Sequence, residues 1–307
     1  MIDRRSLLLQ SAATLFVPVA RAEPRIDRIA LWPGKPPGGG GPTGPEDVSR
    51  KGAVSNISQP RLDRVLPERP NGAAILIAAG GGYKRISIGN EGFPAARWLA
   101  ARGITAYILT YRLPGEGWDV GPLAPLQDAQ RAIRVIRAGA MATGIDPERL
   151  GVLGFSAGGH LLGMAAAWSG ENSYPAVDAA DELSARPDAA ALIYPVITLE
   201  PPYDRTATRR SLVGDNPSQA ARDLWSVDSH VRRGCPPMFL LQAADDPIVD
   251  PANATIMAEA CRAAGIPAEL HLLPGGGHGF GMGRAGTPSA NWADGMTGWL
   301  RRNRLIA

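Results

Sequence analysis

Ser156 stands in the sequence GFSAG at residues 154–158, which has the pattern G-x-S-x-G. The largely apolar run 149–153, which begins with Arg149, precedes it, and the apolar residues 161–167 follow it. A serine on a sharp turn from a strand into a helix must adopt a strained backbone, and the flanking glycines let neighbouring backbone pass close by. The N-terminus of that helix would direct N–H groups at an oxyanion formed beside the serine. We predict that Ser156 is a nucleophile, although such a short pattern also arises by chance in a chain with 37 glycines.

Three glycines follow a predicted buried strand upstream of this serine. Residues 73–79 are all apolar and lead directly into Gly80, Gly81 and Gly82. The N–H groups of a glycine-only turn are unhindered, so we expect Gly81 and Gly82 to donate, together with Ala157, to a developing oxyanion. An ordinary strand-to-loop turn is the alternative interpretation.

The four histidines of the chain leave one good candidate for a general base. In one known order of such triads along the chain, the serine comes first, the acid second and the histidine last. His160 and His230 do not fit that order, and His271 alternates within the predicted strand 268–273, where a structural role suits it better. His278 lies in the glycine-rich loop after that strand, from which a side chain can reach a serine across a cleft. We therefore predict that His278 is the base.

The acid that orients the histidine is expected at the end of the apolar run 237–244. Asp245, Asp246 and Asp250 all follow that run. Position in the sequence alone therefore leaves three candidates.

Six short motifs are spread over the chain: AGGGY at 79–83, LTYR at 109–112, DAQRA at 128–132, GFSAGGH at 154–160, ADDP at 244–247 and GHGF at 277–280. Together they resemble the α/β-hydrolase superfamily, and more narrowly the secreted acetylxylan and feruloyl esterases, which are related to prolyl-oligopeptidase-type catalytic domains. In this superfamily the acid usually fits D-x-x-V, which implies Asp246 with Val249 and leaves Asp245 and Asp250 as runners-up. The usual H-G-G-G begins with Ala79 here, which weakens only the match to the hormone-sensitive-lipase branch because the donors are backbone groups.

Short apolar runs alternate with amphipathic stretches from residue 72 onward. This alternation is typical of a mostly parallel central sheet with helices on both faces, and with the resemblance it implies the α/β-hydrolase fold. Residues 71–307 would form the catalytic domain, after an extended Pro/Gly-rich lead-in at 23–70 with one edge strand. The polar stretch 199–232 breaks the alternation and is expected to be an insertion over the site, or else a plain surface excursion. The predicted strands are 73–79, 104–112, 149–155, 190–196, 238–244 and 268–273, and the predicted helices are 91–102, 125–143, 157–168, 251–264 and 288–303.

The amino terminus has the three parts of an export signal. Arg4 and Arg5 precede the apolar residues 7–19, and the residues 20–22 match an A-x-A cleavage site. The apolar stretch is shorter than the ~20 residues that span a bilayer, which favours a removed signal peptide at 1–22 over an anchor. The paired arginines favour the twin-arginine route, with a Sec signal as the alternative. We expect a periplasmic or secreted protein without membrane attachment after signal removal.

Composition argues against several classes of partner. The formal net charge of +3 falls to about +1 without residues 1–22, which carry three arginines and one aspartate. No basic stripe with interleaved aromatic residues supports nucleic-acid binding. The four histidines and two cysteines have no metal-ligand spacing, and the sequence contains neither a phosphate-binding loop nor a dinucleotide-binding turn. We therefore expect no metal, no cofactor and no nucleic-acid partner.

The predicted reaction is hydrolysis of a carboxylic ester through an acyl-enzyme on Ser156. The resemblance implies acetylated or otherwise acylated carbohydrates as substrates, while the acyl group and the alcohol stay open. Tyr83, Trp118 and Trp225 are candidates for substrate binding, although core packing is the commoner role of a single tryptophan. A serine peptidase with the same machinery and a non-catalytic carbohydrate-binding relative are the alternatives.

Cys235 and Cys261 are the only cysteines. A helix at 251–264 would run back antiparallel to a strand at 238–244, which predicts that the two thiols are neighbours. Export to an oxidising compartment would permit a disulfide. Two buried free thiols remain equally compatible with the spacing, because helix rotation decides whether the Cβ atoms approach closely enough.

Overall fold

Eight strands form one sheet in the computed structural model of the chain, which describes residues 26–306. The expected export signal at residues 1–22 lies outside the described residues. The strands are β1 (Ile26–Ala30), β2 (Asp47–Val48), β3 (Val54–Ser55), β4 (Arg61–Val65), β5 (Ala74–Ala78), β6 (Thr105–Thr110), β7 (Leu150–Phe155), β8 (Ala189–Ile193), β9 (Met238–Ala243) and β10 (Ala268–Leu273). β2 and β3 pair separately, and the large sheet has the order β1-β4-β6-β5-β7-β8-β9-β10.

The six strands predicted from apolar runs form the parallel part of the large sheet. β6, β5, β7, β8, β9 and β10 pair in parallel in that order. The first five of these are buried along their whole length, as expected where both faces of a sheet are covered, and β10 is a half-buried edge. Several predicted strands extend beyond the observed ends because their apolar runs continue into buried loops. The predicted fold class is thus confirmed.

Helices flank this sheet. The helix α1 (Phe93–Ala100) lies against β6, α4 (Ala157–Ala167) against β7 and β8, and α7 (Ala252–Ala263) against β10. The predicted helix 125–143 is divided at Gly139, and the predicted helix 288–303 begins only at Trp292. No helix between residues 26 and 306 is both long and apolar enough to cross a membrane. The helices are α1 (Phe93–Ala100), α2 (Leu123–Ala138), α3 (Ala140–Thr143), α4 (Ala157–Ala167), α5 (Ala207–Val213), α6 (Gln219–Trp225), α7 (Ala252–Ala263) and α8 (Trp292–Arg302).

The lead-in at 23–70 contributes more to the fold than the sequence indicated. β1 and β4 add two antiparallel strands beside β6, where one edge strand was predicted. Arg28 pairs with Asp63, and Arg64 pairs with Asp27, across these two strands. Charged side chains in both strands hide their apolar alternation in the sequence. The large sheet therefore extends across residue 70, with β1 and β4 on one side of it in the chain and the parallel strands on the other.

A buried ion pair fixes the lead-in to the parallel part of the sheet. Arg112 and Asp128 have fully buried side chains, and their Nη2 and Oδ1 atoms are 2.9 Å apart. Arg112 Nη1 donates to Pro37 O at 2.7 Å, and Trp32 Nε1 donates to Asp128 Oδ1 at 2.8 Å. Burial raises the pKa of Asp128, and the Arg112 guanidinium opposes that rise. These contacts give two of the motif residues a structural role.

Residues 199–232 contain the helices α5 and α6, joined by irregular segments. The Ser211 hydroxyl donates to Gly82 O at 2.8 Å. The Ala207 side chain lies 2.9 Å from the position that a Cβ on Gly82 would take. The segment therefore borders the glycine turn that the sequence predicts to bind an oxyanion.

Both cysteines are buried free thiols. Of the two alternatives that the sequence left open, the structure therefore has the free thiols and not the disulfide. Cys235 Sγ lies 3.8 Å from Ala167 O, and Cys261 Sγ lies 3.6 Å from Met238 Sδ. Burial raises the pKa of Cys261 to about 12, and the nearby charge of a Cys235 thiolate adds to this rise. No bond joins the two sulfurs.

Candidate active site

Ser156 occupies a strained turn between β7 and α4. Its φ of 50° lies in the left-handed region that residues other than glycine rarely adopt. The Ser156 N–H donates to Ile193 O at 2.9 Å, and its carbonyl accepts from His160 N–H at 3.0 Å, so the turn is held on both sides. A Cβ on Gly158 would clash with Ala78 O, so glycine is required for α4 to lie against the end of β5. Local packing thus enforces the conformation that exposes a serine hydroxyl at a strand end.

The side chains of Ser156, His278 and Asp246 form one hydrogen-bonded chain. His278 Nε2 lies 2.8 Å from Ser156 Oγ, and His278 Nδ1 lies 2.7 Å from Asp246 Oδ2. The Asp246 side chain is fully buried, whereas that of His278 is 15% exposed. A neutral histidine that donates from Nδ1 to a carboxylate can accept the serine proton at Nε2. The geometry therefore suits general-base activation of the Ser156 hydroxyl.

Donors from its own turn fix the Asp246 carboxylate. Oδ1 accepts from the N–H groups of Ile248 at 2.8 Å and Val249 at 3.0 Å, and Oδ2 accepts from Gln242 Nε2 at 2.9 Å. The D-x-x-V spacing thus has a physical reason, since the backbone of Val249 closes the turn on the carboxylate. Oδ2 is left facing the imidazole of His278.

The two runner-up aspartates have other partners. Asp245 Oδ1 accepts from Gly277 N–H at 2.8 Å, and backbone N–H groups of Gly277 and Gly276 lower the pKa of Asp245. Asp250 Oδ1 accepts from Ala252 N–H at 2.9 Å, at the beginning of α7. Asp246 is therefore the one of the three whose carboxylate reaches the His278 ring.

The glycines after β5 adopt conformations that side chains would block. Gly81 has a φ of 131° and Gly82 a φ of 66°. A Cβ on Gly80 would lie 2.8 Å from Ser156 Cβ. In the described part of the chain, the N–H groups of Gly81 and Gly82 have no hydrogen-bond partner, and Ala157, as the first residue of α4, has none within its helix. All three N–H groups are thus free to bind an anion.

All three aromatic residues that the sequence offers as candidates for substrate binding are buried. Tyr83 is 2% exposed, and Trp118 and Trp225 are each 6% exposed. The Trp118 ring faces the Arg112 guanidinium at 4.9 Å, and Trp225 packs edge-on against Trp168. Because neighbours cover these rings, none of them offers a free face to a sugar.

His160 connects the glycine turn to the segment 199–232. Its Nε2 lies 2.7 Å from Trp225 O, and its Nδ1 lies 2.9 Å from Tyr83 OH. Because a carbonyl only accepts, Nε2 carries the proton and Nδ1 accepts from Tyr83. Burial lowers the pKa of His160 to about 4, so the ring is neutral at neutral pH. The order of residues along the chain excluded His160 as the base, and in the structure this histidine instead joins two segments by hydrogen bonds.

Sequence reasoning missed two buried polar residues beside the site. Glu91 is 4% exposed and accepts hydrogen bonds from Gly80 N–H at 2.6 Å and from Tyr194 OH at 2.9 Å. Tyr194 follows β8 with a φ of 40°, and its ring centroid lies 4.9 Å from that of His278. Glu91 stands at the beginning of a predicted helix, where a glutamate is normally exposed. No local pattern could have marked either residue.

The arrangement contains the parts that acyl transfer requires. A nucleophile lies within hydrogen-bond distance of a base, a carboxylate orients that base, and unpaired N–H groups lie on the adjoining turns. Among residues 26–306, no group of three or more His, Cys, Asp or Glu side chains could hold a metal ion.

Comparisons of sequence relate the chain to a family and to individual enzymes. The profile of the family described as BD-FAE matches residues 62–261. The chain is 32% identical over 237 residues to an acetylxylan esterase of Xylanibacter ruminicola, and 35% identical over 211 residues to an endo-1,4-beta-xylanase B of Butyrivibrio fibrisolvens. These alignments cover 75% and 67% of this chain but 45% and 32% of the two relatives. The chain thus spans less than half of the length of either relative.

Comparisons of structure extend over nearly the whole chain. An acetyl ester-xyloside bifunctional hydrolase from Caldicellulosiruptor lactoaceticus has a TM-score of 0.77 and 31% identity, and the match covers 93% of this chain and 99% of that one. A thermophilic esterase from Thermogutta terrifontis with bound butyrate has a TM-score of 0.68 and 25% identity, with 85% and 95% of the chains covered.

Proposed function

Because the chain belongs to the BD-FAE family of α/β-hydrolases, we propose that it is a serine ester hydrolase that acts through an acyl-enzyme. The observation that carries the proposal is the hydrogen-bonded chain from Asp246 through His278 to Ser156, on a strained turn at the end of β7. In that arrangement a base and its orienting acid are already aligned on a hydroxyl group.

In the first half-reaction, Ser156 Oγ attacks the ester carbonyl carbon. His278 Nε2 accepts the hydroxyl proton, and Asp246 holds the imidazole in the required tautomer and stabilises the imidazolium. When the tetrahedral intermediate collapses, His278 transfers that proton to the oxygen of the leaving alcohol, and the acyl group stays on Ser156. The proposed oxyanion donors are the N–H groups of Gly81, Gly82 and Ala157.

In the second half-reaction, water replaces the alcohol. His278 removes a proton from a water molecule as the water oxygen attacks the acyl carbon, and the same N–H groups bind the second oxyanion. Collapse of this intermediate breaks the bond to Ser156 Oγ, which takes the proton back from His278. The carboxylic acid leaves and the free enzyme is restored.

We propose acetylated or otherwise acylated carbohydrates as the substrate class. Support comes from the relatives that are named for acetylxylan and for acetyl ester-xylosides. The buried rings of Trp118 and Trp225 do not supply a stacking platform, so other groups must recognise the sugar.

Turnover of 4-nitrophenyl acetate, acetylated xylo-oligosaccharides and an aminoacyl 4-nitroanilide tests the proposal, with Ser156→Ala as the variant. We expect ester turnover by the native protein and a loss of about 10⁴–10⁶-fold in kcat for Ser156→Ala, since triad members act as a unit. Circular dichroism and Tm should stay unchanged. Faster turnover of the anilide than of the esters would indicate a peptidase, and near-native turnover by Ser156→Ala would exclude Ser156 as the nucleophile.

We also propose that the protein is exported from the cytoplasm. Support comes from the sequence of residues 1–22, with its paired arginines and its A-x-A site. Fractionation of cells that express the chain, with and without Arg4→Lys and Arg5→Lys, tests this. Export that requires the arginines would indicate the twin-arginine route, and export without them a Sec route. Retention of the unchanged chain in the cytoplasm would contradict the proposal.

A further inference from the structure

Glu91 is a buried carboxylate that the proposed mechanism does not use. It lies in the π-helical turn Ile88–Gly92 before α1, and both of its oxygens accept hydrogen bonds, Oε2 from Gly80 and Oε1 from Tyr194. Within residues 26–306, no lysine or arginine pairs with it. Burial raises the pKa of Glu91, whereas its hydrogen bonds and the charge of His278 lower it. A carboxylate without a cationic partner is costly to bury, which points to a role in the site.

The first contact of Glu91 reaches the turn that holds the proposed oxyanion donors. The Gly80 N–H donates to Oε2 at 2.6 Å, and Gly80 directly precedes Gly81. From the position of a Cβ on Gly80, Glu91 Oε2 would lie 3.3 Å away and Ser156 Cβ 2.8 Å away. Gly80 therefore lies next to both the Glu91 carboxylate and the nucleophile, and the hydrogen bond from its N–H restrains the backbone from which the oxyanion donors extend.

The second contact reaches the loop of His278. Tyr194 OH accepts from Gly281 N–H at 3.0 Å, so its own hydrogen is directed at Glu91 Oε1. The Tyr194 ring packs edge-on against His278 at 4.9 Å and against Phe280 at 4.6 Å. The Tyr194 hydroxyl thus connects Glu91 to Gly281, which follows the base in the same loop, while the Tyr194 ring packs against the base itself.

We infer that Glu91 is a positioning residue that holds the oxyanion turn and the His278 loop in register through Gly80 and Tyr194, and that its negative charge stabilises protonated His278. The inference rests on the proposed function, since it takes His278 as the base. The imidazolium formed during the reaction then has two carboxylates near it, Asp246 in direct contact and Glu91 at the hydroxyl group of Tyr194, whose ring packs against His278.

Other titratable groups surround this pair. Tyr194 and Tyr111 have pKa values that burial and the Glu91 charge raise above the usual range, so both stay neutral during assays. Asp245 is exposed, is bound to Gly277 N–H, and is ionised because backbone donors lower its pKa. Neither tyrosine changes its charge in the acidic range, and Asp245 is present in every variant below.

The test is the pH dependence of kcat/KM on 4-nitrophenyl acetate for Glu91→Gln. Glutamine keeps the size of the side chain and removes its charge. We expect kcat to fall by about 10-fold with KM within about twofold, and the acid limb of the profile to move to lower pH by about 0.5 unit or more. The direction follows because protonated His278 loses one stabilising charge. A merely structural role would lower kcat at every pH and leave the limb in place.

Tyr194→Phe is the second variant, since it removes the connecting hydroxyl and keeps the ring. Without that donor the pKa of Glu91 rises further, so less of its charge is present and the acid limb should move in the same direction. This variant carries the test by itself if Glu91→Gln does not fold.

Glu116→Gln is the matched control. Glu116 is a partly buried carboxylate whose two oxygens, like those of Glu91, both accept hydrogen bonds, here from the N–H groups of Asn56 and Ile57. The charges that act on it are those of Asp47 and Glu46. We expect its acid limb to match that of the native protein. The inference would be overturned if the acid limb of the pH profile stays in place in both Glu91→Gln and Tyr194→Phe. It would also be overturned if the acid limb of Glu116→Gln moves by the same amount. Either result would leave the esterase proposal intact. An inactive native protein, or an active Ser156→Ala, would instead overturn the proposed function.

Discussion

Asp245 and Asp246 are neighbours in the chain, but they hold different parts of the same loop. Asp246 is fully buried and contacts the ring of His278. Asp245 is exposed and contacts the backbone of Gly277, one residue before the histidine. One carboxylate therefore fixes the tautomer of the imidazole, and the other fixes the path of the loop that carries it.

Substitution of each aspartate by asparagine should separate these roles. We expect Asp246→Asn to lose about 10³–10⁴-fold in kcat, because the amide presents the wrong hydrogen-bonding group to Nδ1 and favours the wrong tautomer. Asp245→Asn should lose less than about 10-fold, since its amide oxygen can still accept from Gly277 N–H. Kinetics on 4-nitrophenyl acetate, with Tm as the fold control, measure the difference. The reverse order of losses would assign the acid to Asp245.

Among the secondary-structure elements, α4, the glycine turn and the segment 199–232 meet at His160. The histidine lies in the first turn of α4, accepts from Tyr83 after the glycines, and donates to Trp225 at the end of α6. One neutral ring thus joins three segments that are far apart in sequence. Protonation would place a donor opposite Tyr83 OH and a charge in a fully buried position, and both are unfavourable.

Stability should therefore fall on acidification. The pKa of His160 is lowered to about 4 in the folded protein and is about 6.5 in the unfolded chain. Its contribution is complete above pH 6.5 and is lost as the pH falls towards 4, because the unfolded chain takes up the proton first. Between pH 7.5 and pH 5 this amounts to about 2 kcal/mol of the free energy of unfolding. Urea unfolding at the two pH values measures it.

His160→Gln is the control for this prediction. Glutamine can both donate and accept, and it does not titrate, so the difference in unfolding free energy between pH 7.5 and pH 5 should shrink by about 2 kcal/mol relative to the native chain. If the difference in unfolding free energy between the two pH values is the same in His160→Gln as in the native chain, groups other than His160 cause the loss of stability at low pH.

The sheet order of the whole molecule assembles the site. β5, β7, β8 and β9 are adjacent and parallel, with β10 next to β9, so their carboxyl ends lie along one edge. The glycine turn, Ser156, Asp246 and His278 each follow one of these ends. Residues more than a hundred positions apart, such as Ser156 and His278, meet because strand pairing brings them together.

The two thiols provide a test of the packing of the whole molecule. We expect two free thiols per chain to react with a disulfide reagent after denaturation without reductant, and almost none in the folded protein, because both are buried and burial raises the pKa of Cys261 to about 12. A sample reduced before denaturation should give the same count. No reactive thiol in the unreduced denatured protein, at the mass of a monomer, would instead indicate a disulfide.

Sequence by itself determined the superfamily, its esterase branch and the parallel sheet, and the comparisons confirm these predictions. It also selected Ser156 and His278, whose proposed catalytic roles stay predictions. These inferences succeeded where the information is local. A strained turn needs glycines two residues away, a buried strand needs a continuous apolar run, and each appears as a pattern in the chain.

Only the tertiary structure decided what depends on distant neighbours. It buried Trp118 and Trp225, extended the sheet into the lead-in, and brought Glu91 to Tyr194 across 103 positions of the chain. Residue types set what a side chain can donate, accept or cover. Its actual partners depend on which strands pair and which loops then meet, because a buried group takes its hydrogen bonds and its pKa from whatever the fold packs against it.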